Sequence, residues 1–185
     1  RPKIVQPSGK IHIGARVSLK AGTIFSARDI YVTTDGTDPR APGGAVADQA
    51  SLLDSSVSLE KSTQIRGRVL HEDTWSGLVE AWYFVEEEPV SIVNLGISKI
   101  HYHPSDPTAE EIAAGFDNDD DFEFLEFRNL SEQTVHLGGA QFSDGIDFTF
   151  GAQTISPQDR VLLVRNREAF ERRYGNALPV VGEYT

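Results

Sequence analysis

The densest group of potentially reactive side chains is an acidic segment, residues 106–126, which holds nine carboxylates and no basic residue. Asp117, Asp119 and Asp121 have the alternating spacing that begins an EF-hand loop, and clustered carboxylates bind hard cations such as Ca²⁺. Position twelve of such a loop would be Arg128, where an EF-hand requires glutamate, so the EF-hand interpretation fails. Two interpretations stay open: a looser calcium site at these three aspartates, or a solvated acidic loop before a buried strand.

Two imidazoles lie close together in the sequence, at His101 and His103. On a strand, residues two apart share one face, so this pair could form half of a zinc site. The chain has no cysteine, so the remaining ligands would have to be carboxylates such as Asp106. The competing interpretation is a pair at a strand edge, beside a turn that ends in proline.

Aromatic side chains in the first half of the chain could bind sugars, because an exposed ring can stack on the apolar face of a pyranose. Trp75 falls in a predicted turn and is the candidate carbohydrate platform. Trp82 and Tyr83 lie on a predicted strand, where alternation must bury one of the two.

A cluster of turn-forming residues, Asp35, Gly36, Asp38 and Pro39, resembles a reactive site because of its two carboxylates. A structural role explains the same residues. The aspartates can accept backbone amides, the glycine permits a positive φ, and the proline stiffens the exit. We therefore interpret these four residues as a structural turn.

No arrangement of residues in the sequence supports catalysis. The chain lacks a Gly-x-Ser-x-Gly elbow and the glycine-rich phosphate-binding motifs. We therefore expect no enzyme, no catalytic residues and no cofactor other than the calcium ion considered above.

Composition excludes several classes of partner. The 185 residues include 17 basic and 28 acidic side chains, a net charge of −11, which is unlike a protein that binds nucleic acid or anionic lipid. No apolar run approaches the length of a membrane span, so no membrane insertion is expected.

The elements that must position these residues are mostly short strands, which predicts an all-β fold. Residues 1–90 carry 10 basic and 12 acidic groups, net −2, whereas residues 91–185 carry 7 and 16, net −9. The polar stretch Glu86–Pro89 is typical of a linker. The sequence therefore predicts two domains, residues 1–88 and 89–185.

Two short helices are predicted within the second domain. Thr108 and Glu111 match a capping box, and Gly115 follows about two turns later as a terminator. Asn166 can cap a second helix that Gly175 ends.

The first half resembles the β-sandwich module at the C-terminus of chitobiase-type hexosaminidases and the related fibronectin-III-associated modules. The resemblance covers roughly residues 8–85. It is carried by Tyr-Val-Thr-Thr-Asp-Gly-Thr-Asp-Pro-Arg at 31–40, Thr-Gln-Ile-Arg-Gly-Arg at 63–68 and Trp-Ser at 75–76. It implies a non-catalytic accessory module with an immunoglobulin-like fold.

The second half, residues 91–185, resembles a bacterial lamin-tail domain. The resemblance is carried by Ile-Ser-Lys-Ile-His-Tyr-His-Pro at 97–104, Phe-Glu-Phe-Leu-Glu-Phe-Arg-Asn-Leu-Ser at 122–131, Val-His-Leu-Gly-Gly at 135–139 and the segment 157–164. It implies an immunoglobulin-like β-sandwich without catalytic residues, in a secreted or cell-envelope protein. A complete domain of this kind continues past residue 185, so we expect the last strands to be missing and the unpaired sheet edge to permit self-association.

Together these observations predict two tandem immunoglobulin-like β-sandwiches, the second with two short helices. The expected function is a spacer, scaffold or protein-binding segment of a larger exported bacterial protein, whose partner is another protein or a neighbouring domain of the same chain. Two alternatives are a carbohydrate-binding accessory module whose partner is a polysaccharide, and a calcium-stabilised adhesin-like segment.

Overall fold

The computed structural model describes residues 1–22, 29–143 and 145–184, and the chain divides into two compact units, Arg1–Glu87 and Glu88–Thr185. Strands account for 41% of the structure and helices for 10%, which confirms the predicted all-β class. Among the described residues no helix is long and apolar enough to cross a membrane.

The first unit is built from short strands arranged around one large sheet. Its described strands are β1 (Lys3–Ile4), β2 (Gly9–Ile11), β3 (Ala15–Val17), β4 (Leu19–Lys20), β5 (Asp29–Thr33), β6 (Ser51–Leu52), β7 (Val57–Leu59), β8 (Thr63–His71), β9 (Thr74–Trp75) and β10 (Val79–Val85). The large sheet has the order β2-β10-β8-β5-β6, and β9 pairs with β8. All of its pairs are antiparallel except β2 with β10. The pairs β1-β4 and β3-β7 form two smaller sheets.

Strand β8 is central because its sequence alternates as a half-buried strand requires. Thr63, Ile65, Gly67 and Val69 all face inward, as the sequence predicts. In the partner strand β10, Tyr83 is completely buried, whereas Trp82 is only partly buried. Tyr83 is therefore the core residue of the two. The core of this unit therefore lies between the large sheet and the small sheet β3-β7.

The second unit combines three sheets with two helices. Its described elements are β11 (Glu88–Pro89), β12 (Leu95–His101), α1 (Ala109–Ala113), a 3-10 turn (Asp119–Phe122), β13 (Phe124–Asn129), β14 (Val135–His136), β15 (Gln141–Phe142), β16 (Phe148–Thr149), β17 (Thr154–Ile155), β18 (Arg160–Val164), α2 (Arg167–Tyr174) and β19 (Val180–Glu183). The sheet orders are β12-β13-β18-β19, β11-β14-β17 and β15-β16. The pairs β11-β14 and β18-β19 are parallel.

The central strands of the second unit are buried on both faces. Leu125 and Phe127 pack into a cluster shared with the other two sheets. Phe124 points to the opposite face and packs against Phe170 of α2, with the ring centroids 5.4 Å apart. Because both faces are covered, the neighbouring strand β18 has a continuous apolar run, Val161 to Val164, rather than a strict alternation.

The helix boundaries follow the predicted capping residues. Thr108 and Glu111 form the reciprocal capping box at the start of α1. Asn166 caps α2 by accepting the Ala169 amide, and Gly175 ends that helix with a φ of +84°.

The linker prediction for Glu86–Pro89 is wrong in its second half. Glu88 and Pro89 form strand β11, which pairs in parallel with β14 of the second unit. Their composition is typical of a linker, but the proline sits at the edge of a sheet, where its missing amide costs no ladder hydrogen bond.

Candidate functional site

The turn at residues 35–39 is held by its own carboxylates. Oδ1 of Asp35 accepts the backbone amide and the hydroxyl of Thr37, at 3.0 and 2.6 Å. Oδ1 of Asp38 accepts the Arg40 amide at 2.9 Å, and Gly36 has a φ of +83°. The turn leads into Arg40, which lines a cleft together with Gly43 and Gly44.

Arg68 of β8 anchors the same turn through a bidentate contact. Its guanidinium donates to both carboxylate oxygens of Asp38 at 2.7 Å and to the Ser76 carbonyl at 2.6 Å. The hydrogen bonds from Arg68 lower the pKa of Asp38, and those from Thr37 lower the pKa of Asp35. Both carboxylates are thus occupied by contacts within the protein.

Trp75 lies beside this turn, in a cleft of about 610 Å³. Its indole Nε1 donates to the Gly44 carbonyl at 2.6 Å, and its ring lies 5.7 Å from that of Tyr31. The side chain is partly buried rather than fully exposed. The cleft also contains the exposed side chains of Arg40, Glu72, Asp73 and Thr74.

Within the acidic segment of the second unit, residues 119–122 form a 3-10 turn. Asp119 and Asp121 are part of the 3-10 turn, whose successive side chains point about 120° apart. Asp117 precedes the turn and is exposed. Among the described residues, no group of three or more side chains converges in a way that could hold a metal ion. The calcium site at these three aspartates stays a prediction.

The two histidines do not share a strand face, so of the two interpretations left open by the sequence, the zinc half-site does not match the geometry. His101 ends β12, where its Nε2 lies 3.0 Å from the Tyr174 hydroxyl and its ring packs on Phe124. His103 lies beyond the strand with a φ of +54° and an exposed side chain, 3.8 Å from Asp119. Burial, and then the positive charge of nearby Lys99, lowers the pKa of the His101 imidazole.

The sequence does not predict the ion pair that joins the two helices of the second unit. Arg173 of α2 donates to both carboxylate oxygens of Glu111 at 2.8 Å and to the Ser105 carbonyl at 2.9 Å. The guanidinium also lies over the Phe122 ring, 3.3 Å from its centroid. Both charged side chains are largely buried, so this contact fixes the acidic segment against α2.

This ion pair predicts a specific acid sensitivity. The Arg173 hydrogen bonds, followed by the Thr108 amide, lower the pKa of Glu111 from 4.5 to about 2. Between these two values the unfolded chain binds the proton and the folded chain does not, so the contribution of Glu111 to stability is complete above 4.5 and is lost as the pH falls towards 2. Urea unfolding of the wild type and of Glu111→Gln should therefore differ most above pH 5 and converge towards pH 2.

The matched control for this pH series is Glu110→Gln, since Glu110 is an exposed neighbour on the same helix. We expect its stability to run parallel to that of the wild type. A gap between Glu111→Gln and the wild type that stays constant from pH 6 to pH 2 would contradict the assignment.

Asn129 is a second residue whose role the sequence did not reveal. The Asn-Leu-Ser sequence at 129–131 matches a glycosylation acceptor motif, but the Asn129 side chain is completely buried. Its amide donates to the carbonyls of Gln133, Ile155 and Ser156 at 2.7 to 3.0 Å, and its Oδ1 accepts from Ser131. Asn129 therefore holds two loops together.

The most exposed apolar surface of the second unit surrounds strand β12. Ile97 and Ile100 on this strand are 45% and 65% exposed, and Ile92 and Val93 in the preceding loop are 96% and 80% exposed. Within the described chain, β12 pairs with β13 on one side only. We call these four residues and the free side of β12 the β12 edge.

The register shows why this exposure is unusual. Ile97 pairs with Phe127 and Ile100 pairs with Leu125, and directly paired residues lie on the same face of a sheet. Phe127 and Leu125 are both core residues, at 3% and 5% exposure. The two isoleucines therefore extend the core face of the sheet to a position that the other sheets leave uncovered. Sequence alternation predicts the strand, but not that its apolar face is open.

Comparisons with protein families, characterised proteins and solved structures find no match to this chain. The resemblances to a lamin-tail domain and to a hexosaminidase accessory module thus stay predictions. The residues of the β12 edge and of the Trp75 cleft are the basis on which a function can be inferred.

Proposed function

We propose that the chain is a non-catalytic interaction segment of a larger exported bacterial protein, acting as a spacer, scaffold or protein-binding module. The export and the accessory role follow from the two family resemblances. The observation that carries the proposal is the β12 edge, where apolar side chains lie beside the strand side that pairs with no described strand.

We also infer that each unit is an immunoglobulin-like β-sandwich. In the second unit, core residues of the four-stranded sheet pack with Val135 and Ile155 of the three-stranded sheet. In the first unit, Val17 and Leu59 of the small sheet pack with Ile65 of the large one. Two sheets that face each other across a shared apolar core support this assignment.

The β12 edge suits recognition by strand addition. An unpaired edge offers a row of backbone donors and acceptors, and alternate side chains supply specificity. Natural proteins protect exposed edges, often with charged residues, and the sequence of β12 contains one lysine, Lys99, and no carboxylate. A second copy of this chain is the partner we infer, because β12 has no carboxylate, so two such edges can pair without placing acidic side chains against each other.

Substitution at the β12 edge tests this function. We expect sedimentation velocity of the wild-type chain to show a concentration-dependent dimer. The double substitution Ile97→Lys and Ile100→Lys should weaken that dimer by about tenfold or more, because it places two additional charges in an apolar contact. Thermal unfolding should change little, since both side chains are substantially exposed in the single chain.

Ile112→Lys serves as the control, because Ile112 on α1 is 52% exposed and lies outside the β12 edge. Its dimerisation should match that of the wild type. A chain that stays monomeric at several hundred micromolar, or a dimer that the double substitution leaves intact, would contradict the proposal.

A further inference from the structure

We propose that the Trp75 cleft of the first unit binds a neutral oligosaccharide of hexoses with equatorial hydroxyl groups. This site lies in a different unit from the β12 edge and does not rest on the function proposed above. Its volume of about 610 Å³ lies within the usual range for small-ligand sites.

The cleft combines an aromatic ring with exposed polar side chains. Its main lining residues are Arg40, Gly44, Val46, Glu72, Asp73 and Trp75. Trp75 is partly exposed, and an indole face carries negative charge that attracts the C–H groups on the apolar face of a pyranose. The guanidinium and carboxylate groups around it can donate to and accept from sugar hydroxyls.

The walls of the cleft are held in place before any ligand binds. The Trp75 indole donates to the Gly44 carbonyl, and Gly44 adopts a φ of +97°, which disfavours any other residue there. The Gly44 amide in turn donates to the Ala41 carbonyl at 3.0 Å, so the loop is tight. The turn anchored by Arg68 and Asp38 fixes the backbone of Arg40. A preformed site of this kind loses little conformational entropy on binding.

The charges in the cleft indicate a neutral ligand. Glu72 and Asp73 outnumber Arg40, and the chain as a whole has a net charge of −11, so an anionic polysaccharide would be repelled. The lining holds groups of both signs, so a charged ligand of either sign would face at least one group of like charge. Hydroxyl groups can satisfy both signs, since each donates and accepts. An equatorial arrangement of hydroxyls leaves the flat apolar face that stacking on Trp75 requires.

Isothermal titration of the full chain with cellohexaose tests the inference. We expect saturable binding, with a loss of at least tenfold in affinity for Trp75→Ala and about threefold for Asp73→Asn. The Asp73 substitution keeps the shape of an exposed turn residue, so it separates ligand contact from folding if Trp75→Ala disturbs the loop. Glu60→Gln is the control, because Glu60 is exposed and is not among the residues that line the cleft.

Polygalacturonate is the comparison ligand, since it is a polysaccharide with a carboxylate on each sugar. Binding of cellohexaose but not polygalacturonate, lost in both cleft variants and kept in Glu60→Gln, would support the assignment. No binding of cellohexaose, equal binding by the cleft variants, or preference for polygalacturonate would overturn it. The dimerisation assay on the β12 edge is unaffected by any of these results, so the two proposals fail independently.

Discussion

Replacement of Asn129 by alanine should lower the free energy of unfolding of the second unit by about 3 kcal/mol. The side chain is completely buried and donates to three backbone carbonyls, those of Gln133, Ile155 and Ser156. Alanine cannot donate to any of these carbonyls and leaves the space of the amide empty. The Gln133 carbonyl would keep only the Ser131 hydroxyl as a donor, and the Ser156 carbonyl only the Asp159 amide. The loss of the Ser131 contacts with Oδ1 adds to the cost.

Calorimetry and hydrogen exchange measure this effect. We expect the melting temperature of the second unit to fall by about 10 °C or more, as for other losses of this size in domains near 100 residues. Amide exchange should accelerate first at residues 129–133 and 154–156, where the side chain joins two loops.

Asn118→Ala is the matched control for Asn129, because Asn118 is exposed and its Oδ1 accepts one amide, that of Asp120, at 3.2 Å. Loss of such an exposed cap costs about 1 kcal/mol or less. If Asn129→Ala were no more destabilising than Asn118→Ala, the described hydrogen bonds of Asn129 could not be what holds the two loops.

Replacement of Arg173 by leucine should destabilise the second unit to a similar degree, because it leaves the Glu111 carboxylate buried and unpaired. It also removes the donor to the Ser105 carbonyl and the guanidinium that covers the Phe122 ring. We expect the melting temperature to fall by about 10 °C or more, measured by calorimetry at pH 7.

The double substitution Arg173→Leu with Glu111→Gln separates charge from packing. Removing both charges should restore part of the stability, since the neutral amide is easier to bury than an unpaired carboxylate. Arg172→Leu is the control, because Arg172 is adjacent on α2 and its one described hydrogen bond is a long one of 3.4 Å to the Glu110 carbonyl. A double variant as unstable as the sum of the two single variants would refute the ion-pair explanation.

Local features of this protein were determined by the sequence alone. The alternation of β8, the capping box of Thr108 and Glu111, and the Asn166 cap all depend on residues within a few positions of one another. Hydrogen bonds and side-chain faces at such short separations are fixed by backbone periodicity, so the residue types are sufficient to predict them. The all-β class follows from the same local signals.

The tertiary structure decided which of these residues meet. Glu111 and Arg173 are 62 positions apart, and Asn129 joins carbonyls 26 and 27 positions away. The Tyr174 hydroxyl that contacts the His101 imidazole is 73 positions from it. The exposure of Ile97 and Ile100 depends on where the other sheets of the second unit end. Contacts of this kind arise from strand pairing and packing between distant segments, and side-chain chemistry at one position carries no information about which distant segment will cover it.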